Sequence, residues 1–113
     1  MSIFKRQKDN KEPLTVVEPG YQTRDFVHVS DVVYANILAT QRDLEEYGQV
    51  FNIGTGEGTE IQTIADLISD YQITIPQRSG EVMHSTANID KVKETLGWKW
   101  SVKVIEWVKK NLK

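Results

Sequence analysis

The sequence has no cysteine and only two histidines among its 113 residues. Disulfides and thiolate–metal sites are therefore excluded by composition, which fits a reducing compartment. His28 and His84 lie far apart and outside any H-E-x-x-H spacing, so no metal-binding pattern is present. An excess of one charge is also missing. Fourteen Lys and Arg face sixteen Asp and Glu, for a formal net charge of −2. This gives no electrostatic case for nucleic acid, whose binders carry basic patches or stripes. No apolar run approaches about 18 residues, so nothing reads as a membrane span. Met1 to Arg6 is too short and too polar for a secretory signal. There is no internal repeat and no low-complexity stretch. What remains is 39% hydrophobic and 27% charged, the composition of one small domain over residues 1–113, expected in the cytoplasm.

Strand-like and helix-like segments alternate, which gives an α/β class. Residues 1–11 are expected as the last turns of a helix or a disordered lead, with Ile3 and Phe4 toward a core. Pro13 ends any helix there. Leu14–Val17 is a short strand, and Glu18-Pro19-Gly20 a turn. Asp25 to Val29 alternates and reads as a strand. Ser30 or Asp31 then caps a helix to about Gln41, with either Val33 and Ile37 or Tyr34 and Leu38 inward. Arg42 to Tyr47 is charged and expected in solvent. Val50–Ile53 reads as a strand, followed by a glycine loop at 54–58. Thr59 and Gln62 form a capping box for a helix with Ile61, Ile64, Ala65 and Ile68 on one face. Tyr71 to Ile75 is β-prone, and Pro76 to Glu81 is irregular with a turn at Gly80. Asn88 is placed to cap a helix carrying Ile89, Val92 and Leu96. Gly97 suits a left-handed helix end. Ser101 is placed to cap a last helix with Ile105, Val108 and Leu112 inward.

Several residues invite chemistry. Gly54-x-Gly56-x-Gly58 follows a β-prone run and precedes a helix, the setting of a dinucleotide fingerprint. The pattern wants glycine at position 59, which is Thr59, so a turn with a helix cap is the better reading. Ser30, His28 and Asp25 form a nucleophilic triad only on paper, since no G-x-S-x-G elbow is present. Trp98, Trp100 and Trp107 read as core or docking surface rather than a stacking platform. Arg24 stands between a polar turn and an apolar run, and its partner is either a neighbouring acid such as Asp25 or Glu18 or a bound anion. Arg78 and Glu81 flank Gly80 in a second loop. Two loop arginines and a carboxylate suit a diphosphate and a ribose, but composition and spacing favour a solvated surface.

Four motifs change this balance by their order: Gln22-Thr23-Arg24-Asp25-Phe26-Val27-His28-Val29-Ser30-Asp31-Val32-Val33, then Val50-Phe51-Asn52-Ile53-Gly54-Thr55-Gly56, then Arg78-Ser79-Gly80-Glu81, then Leu96-Gly97-Trp98. Together they resemble the C-terminal part of NAD-dependent nucleotide-sugar epimerases/dehydratases, the extended short-chain dehydrogenase/reductase family that includes UDP-glucose 4-epimerase. The resemblance implies a small C-terminal substrate-binding region without the NAD-binding Rossmann domain. It assigns Arg24 to the diphosphate, and Arg78 and Glu81 to phosphate and ribose. The family more often has aspartate at the position of Glu81. Val16 and Val17 fall where the family lines base and ribose, often with an aromatic at the second position, and Phe26 matches a neighbouring aromatic.

The family's Tyr-x-x-x-Lys is not in this sequence. Tyr21, Tyr34, Tyr47 and Tyr71 are followed four residues on by Asp25, Leu38, Phe51 and Ile75, so no tyrosine has a lysine to lower its pKa. No catalytic, cofactor-binding or metal-binding residue is expected in this chain, and NAD is expected for full-length relatives. The expected ligand is a nucleoside-diphosphate sugar, a UDP-sugar foremost, with no hydride chemistry by the chain alone. The expected partners are a separate Rossmann half and further copies of the chain. The alternative is a non-catalytic remnant or interaction protein that self-associates through the surface that would dock a Rossmann domain.

Overall fold

A computed structural model describes residues 1–43 and 47–113. Its elements run α1 (Ser2–Asp9), β1 (Leu14–Val17), β2 (Thr23–Arg24), α2 (Val29–Gln41), β3 (Thr59–Glu60), α3 (Ile61–Ile68), β4 (Gln72–Ile75), β5 (His84–Ser85), α4 (Asp90–Leu96) and α5 (Val104–Asn111). β1 and β4 pair in parallel, Leu14 opposite Gln72 through Val17 opposite Ile75. A second small sheet has the order β3-β2-β5, with β2 antiparallel to β3 and parallel to β5. The class is α/β, and the described residues contain no doubly wound Rossmann sheet. Among the described residues no helix is long and apolar enough to cross a membrane.

Two apolar cores result. The first joins Leu14 and Val16 of β1 to Ile64, Ala65 and Ile68 of α3 and to Val108 and Leu112 at the C-terminal end. Ile64, Ala65 and Ile68 of the α3 pattern form this contact as expected, while Ile61 is half-buried and lines the neighbouring cleft. Of the N-terminal pair, Phe4 packs here, whereas Ile3 is 53% exposed. The buried residue of α1 is Gln7. Its side chain donates to Thr15 Oγ1 at 2.9 Å and accepts from Thr15 N–H at 3.1 Å. That is why a polar side chain is stable inside: its amide is paired at both ends, with the Thr15 N–H and the Thr15 hydroxyl.

The second core holds Ala35, Leu38, Ile89, Val92, Leu96 and Trp98. Gly97 ends α4 at φ 67°, its N–H donating to Lys93 O at 2.9 Å, the left-handed stop read from the sequence. Asn88 Oδ1 accepts from Asp90 N–H at 3.0 Å at the start of α4. All three tryptophans serve the cores: Trp98 is fully buried, Trp100 packs on the second core and Trp107 on the first.

Several expectations change. None of the strand read over Asp25–Val29 forms; β2 is Thr23–Arg24, just before it, and Val29 already opens α2. Asp25 leaves the ladder because its carboxylate is bound by a distant loop, described below. The alternation survives as two-sided packing, Phe26 on the first core and Val27 on the second. Neither Ser30 nor Asp31 caps α2. His28 does, its Nδ1 accepting from Ser30 N–H at 3.1 Å. The buried face of α2 is Asp31, Ala35 and Leu38, while Val33, Tyr34 and Ile37 face out. Val50–Ile53 keeps a strand's alternation, Phe51 and Ile53 on the core and Val50 and Asn52 outward, but among the described residues no strand pairs with it.

The Thr59–Gln62 capping box does not form. Thr59 pairs with Arg24 in the sheet, and the Gln62 side chain donates to Asp66 and Gln72 instead. Ser101 does not cap α5, which begins after Lys103, because its hydroxyl is spent on Asp31. Of the solvated run expected over residues 42–47, residues 44–46 lie outside the described part. Arg42 and Tyr47 are exposed.

Candidate nucleotide-sugar cleft

The carboxyl ends of β1 and β4 open into a cleft of about 270 Å³. In parallel α/β sheets this is the end where ligands bind. Its floor is Val17 and Ile75, the last residues of the two strands. Arg24 enters from β2 and Phe26 from the segment after it. Arg78 and Glu81 come from the loop after β4, and Phe4 from α1 closes one side. Five of the six sequence-predicted residues thus meet in one place: Val17, Arg24, Phe26, Arg78 and Glu81. Val16 does not. It is 1% exposed and packed in the first core. Successive strand side chains point to opposite faces, so β1 can offer only one of the two valines to the cleft.

The electrostatics are built by two loops. Arg24 Nη2 donates to Glu81 Oε1 at 3.1 Å, and Nη1 donates to Thr23 O at 2.8 Å. The acid that meets Arg24 is therefore neither Asp25 nor Glu18. A turn with Glu81 N–H on Arg78 O at 3.2 Å, and Gly80 at φ 81°, sets both loop residues facing the cleft. The Arg78 side chain is exposed and makes no hydrogen bond or ion pair among the described residues. Gln22, which sequence reasoning quoted without a role, is 2% exposed and lines the cleft. It accepts from Gly20 N–H at 2.7 Å and donates to Val17 O at 3.0 Å, clamping the β1–β2 turn that places Arg24. Its position inside Q-T-R-D-F-V was the one available signal.

The glycine loop is organised differently. Asp25 Oδ1 accepts from Thr55 N–H at 2.8 Å and Thr55 Oγ1 at 2.6 Å; Oδ2 accepts from Gly56 N–H at 2.9 Å and Ala87 N–H at 3.1 Å. Burial pushes the Asp25 carboxyl up, but the Thr55, Ala87 and Gly56 donors outweigh it and hold the group below its ordinary value of 3.8. A Cβ on Gly54 would sit 2.7 Å from both Ala87 Cβ and Asp25 Oδ2, so glycine is required by this close approach. The N–H groups that a pyrophosphate would use are already bound to a carboxylate of the same chain, and β3 separates the loop from α3. These residues do not fit NAD. Nor does a triad form: Asp25 is engaged here, while His28 Nδ1 lies 2.7 Å from Ser30 Oγ. Among the described residues no group of three His, Cys, Asp or Glu is placed to hold a metal.

Comparison with known proteins agrees with this arrangement. Residues 1–54 match the NAD dependent epimerase/dehydratase family. The dTDP-L-rhamnose 4-epimerase of Burkholderia thailandensis is 33% identical over 110 residues, 90% of this chain and 30% of that protein. The UDP-glucose 4-epimerase of Thermotoga maritima, solved with UDP-glucose, is 37% identical with a TM-score of 0.81, over 96% of this chain and 36% of that one. The UDP-glucuronic acid 4-epimerase of Bacillus cereus, solved with UDP-glucuronic acid and NAD, is 26% identical with a TM-score of 0.79, over 92% and 35%. The chain spans less than two-fifths of the length of the curated relatives it matches. It belongs to the NAD dependent epimerase/dehydratase family.

Proposed function

We propose that residues 1–113 form one domain that binds the nucleoside-diphosphate half of a sugar nucleotide, a UDP-sugar foremost. The observation that carries this reading is the meeting of Arg24, Arg78 and Glu81 in one cleft at the carboxyl ends of β1 and β4. Arg24 and Arg78 supply two cations for a diphosphate, and a guanidinium offers the planar fork that phosphate oxygens match. Glu81, held near Arg24, accepts from ribose hydroxyls. Val17 and Phe26 give the apolar wall for sugar and base. Relatives solved with UDP-glucose and with UDP-glucuronic acid plus NAD support the ligand class.

The chain has no Tyr-x-x-x-Lys pair, and its glycine loop is filled by Asp25. Alone it holds substrate without moving a hydride. A separate NAD-binding Rossmann half, in the cytoplasm, would complete an enzyme.

Titration calorimetry with UDP and UDP-glucose tests the reading. Wild-type protein is expected to bind. Arg24→Ala is expected to weaken binding by about thirtyfold, the loss of about 2 kcal/mol for a charge-assisted hydrogen bond. Arg78→Ala is expected to weaken it less, since Arg78 is exposed. No heat at millimolar UDP would overturn the proposal.

The role of Glu81 has its own test. Wild-type protein should prefer UDP over 2′,3′-dideoxy-UDP by about tenfold, and Glu81→Ala should bind the two alike. Equal binding by the wild type would remove Glu81 from the ribose.

A further inference from the structure

The two cations of the cleft are not equally open. The Arg78 side chain makes no hydrogen bond or ion pair among the described residues. Arg24 is held at both terminal nitrogens, Nη1 donating to Thr23 O at 2.8 Å and Nη2 to Glu81 Oε1 at 3.1 Å. A guanidinium grips an oxyanion through a fork of two nitrogens. It has two such forks, and both include Nη2. A phosphate that takes Arg24 by either fork therefore meets Glu81 at the same nitrogen.

The pairing is directed. Arg78 stands in the same turn as Glu81, whose N–H donates to Arg78 O at 3.2 Å. The carboxylate nevertheless reaches across 57 positions to Arg24. The Arg24 and Glu81 side chains are 30% and 21% exposed, so solvent screens them less than an open surface pair. The cleft thus carries its own anion against the cation best placed to bind one.

We propose that Glu81 is a specificity-determining residue that makes the cleft reject a diphosphate lacking ribose hydroxyls. This rests on the ligand reading above and adds a cost to it. Any phosphate on Arg24 must displace the Glu81 carboxylate or lie beside a like charge. Ribose hydroxyls are donors, and they give the displaced carboxylate new hydrogen bonds. Inorganic pyrophosphate and a dideoxynucleotide bring no such donors and leave the cost uncompensated. Selectivity then arises as much from opposing the wrong ligand as from holding the right one. A Glu81 that only touched ribose would act differently: its removal would lower UDP to the dideoxy level and leave pyrophosphate unmoved.

Titration calorimetry with inorganic pyrophosphate, 2′,3′-dideoxy-UDP and UDP, at one ionic strength, tests the proposal. Glu81→Ala is expected to bind pyrophosphate and the dideoxynucleotide about fivefold more tightly than wild type, or about 1 kcal/mol. UDP is expected to weaken by about twofold, so the wild-type preference closes mainly from the dideoxy side. Glu81→Gln keeps the side chain's size without its charge and should move all three ligands in the same directions, by less. Circular dichroism checks that both variants remain folded. Glu94→Gln makes the same change of net charge at an exposed position on α4 and should bind all three ligands as wild type does. If wild type binds UDP but neither Glu81 variant binds pyrophosphate or the dideoxynucleotide more tightly, this inference is overturned and the ligand reading stands. Equal tightening in Glu94→Gln would also overturn it, by assigning the effect to net charge. No UDP binding by wild type would overturn the ligand reading, and this inference with it.

Discussion

Trp98→Ala is expected to destabilise the protein by about 3–5 kcal/mol, the cost of emptying a large buried aromatic site. Trp98 is fully buried in the second core, among Ala35, Leu38, Val92 and Leu96. Its indole Nε1 donates to Asp31 O at 2.9 Å. The same residue fixes the C-terminal segment through its carboxylate, which accepts from Ser101 N–H at 3.0 Å, Ser101 Oγ at 3.0 Å and Val102 N–H at 3.1 Å. Trp98 thus fills the core and locks α2 against the segment leading into α5. Urea denaturation separates the two contributions. Trp98→Phe keeps most of the volume but loses the indole donor. Asp31 O belongs to a helix and also serves the backbone ladder of α2, so that change should cost only about 1 kcal/mol for the lost bond, plus a smaller cavity term. Trp100→Phe, at a partly buried position, should cost less than Trp98→Ala. If Trp98→Ala cost no more than Trp100→Phe, the second core would not be built on this ring.

Trp98 also marks the boundary of what the residues disclose by themselves. Core reading for the tryptophans, the four-residue face of α3, the β1 strand and the Gly97 stop are local properties, written in period and in backbone freedom. Each survived. Several of the features that failed depend on a distant partner. Asp25 leaves its strand for an acceptor role toward residues 55, 56 and 87. Ser101 leaves its helix for Asp31, seventy residues back. Thr59 leaves its capping box for Arg24. Partners this remote leave no trace in hydrophobic spacing. The cleft shows the same division. The ordered motifs named Arg24, Arg78 and Glu81, but the contact between Arg24 and Glu81 spans 57 positions and could not be read from either neighbourhood. For Val16 and Val17, alternation requires that one face the core. Which one is decided by how β1 sits on α3, and that is a tertiary fact.

Asp25→Ala is expected to cost about 3 kcal/mol, with little direct effect on ligand contacts. The substitution strips the acceptor from three backbone N–H groups, of Thr55, Gly56 and Ala87, and from the Thr55 hydroxyl. A donor left unsatisfied away from water costs about 1–3 kcal/mol. Solvent can reach Gly56, which is exposed, so the cost falls mainly on Thr55 and Ala87. Asp25→Asn keeps one acceptor oxygen and should lose less. The charge gives a second, independent readout. The folded carboxyl titrates below its ordinary value of 3.8 because its donors outweigh the opposing effect of burial, and Asp31 is lowered in the same way by its bonds to Ser101 and Val102. A carboxyl depressed in the folded state contributes stability that is complete above the unfolded pKa and is lost as pH falls through the folded one. Wild-type protein should therefore hold its stability from neutral pH down to about 4 and lose it below, in the window under the unfolded carboxylate value. Asp25→Asn should flatten that loss. Equal acid sensitivity of the two proteins would mean that Asp25 is not ionised in its site. Arg24→Ala gives the contrast at the neighbouring position. Arg24 is partly exposed and, among the described residues, its ion pair is with Glu81, so its loss should change urea stability by less than about 1 kcal/mol while abolishing most UDP affinity. Adjacent residues of one motif would then separate cleanly: Asp25 holds the loops together, and Arg24 serves the cleft they frame.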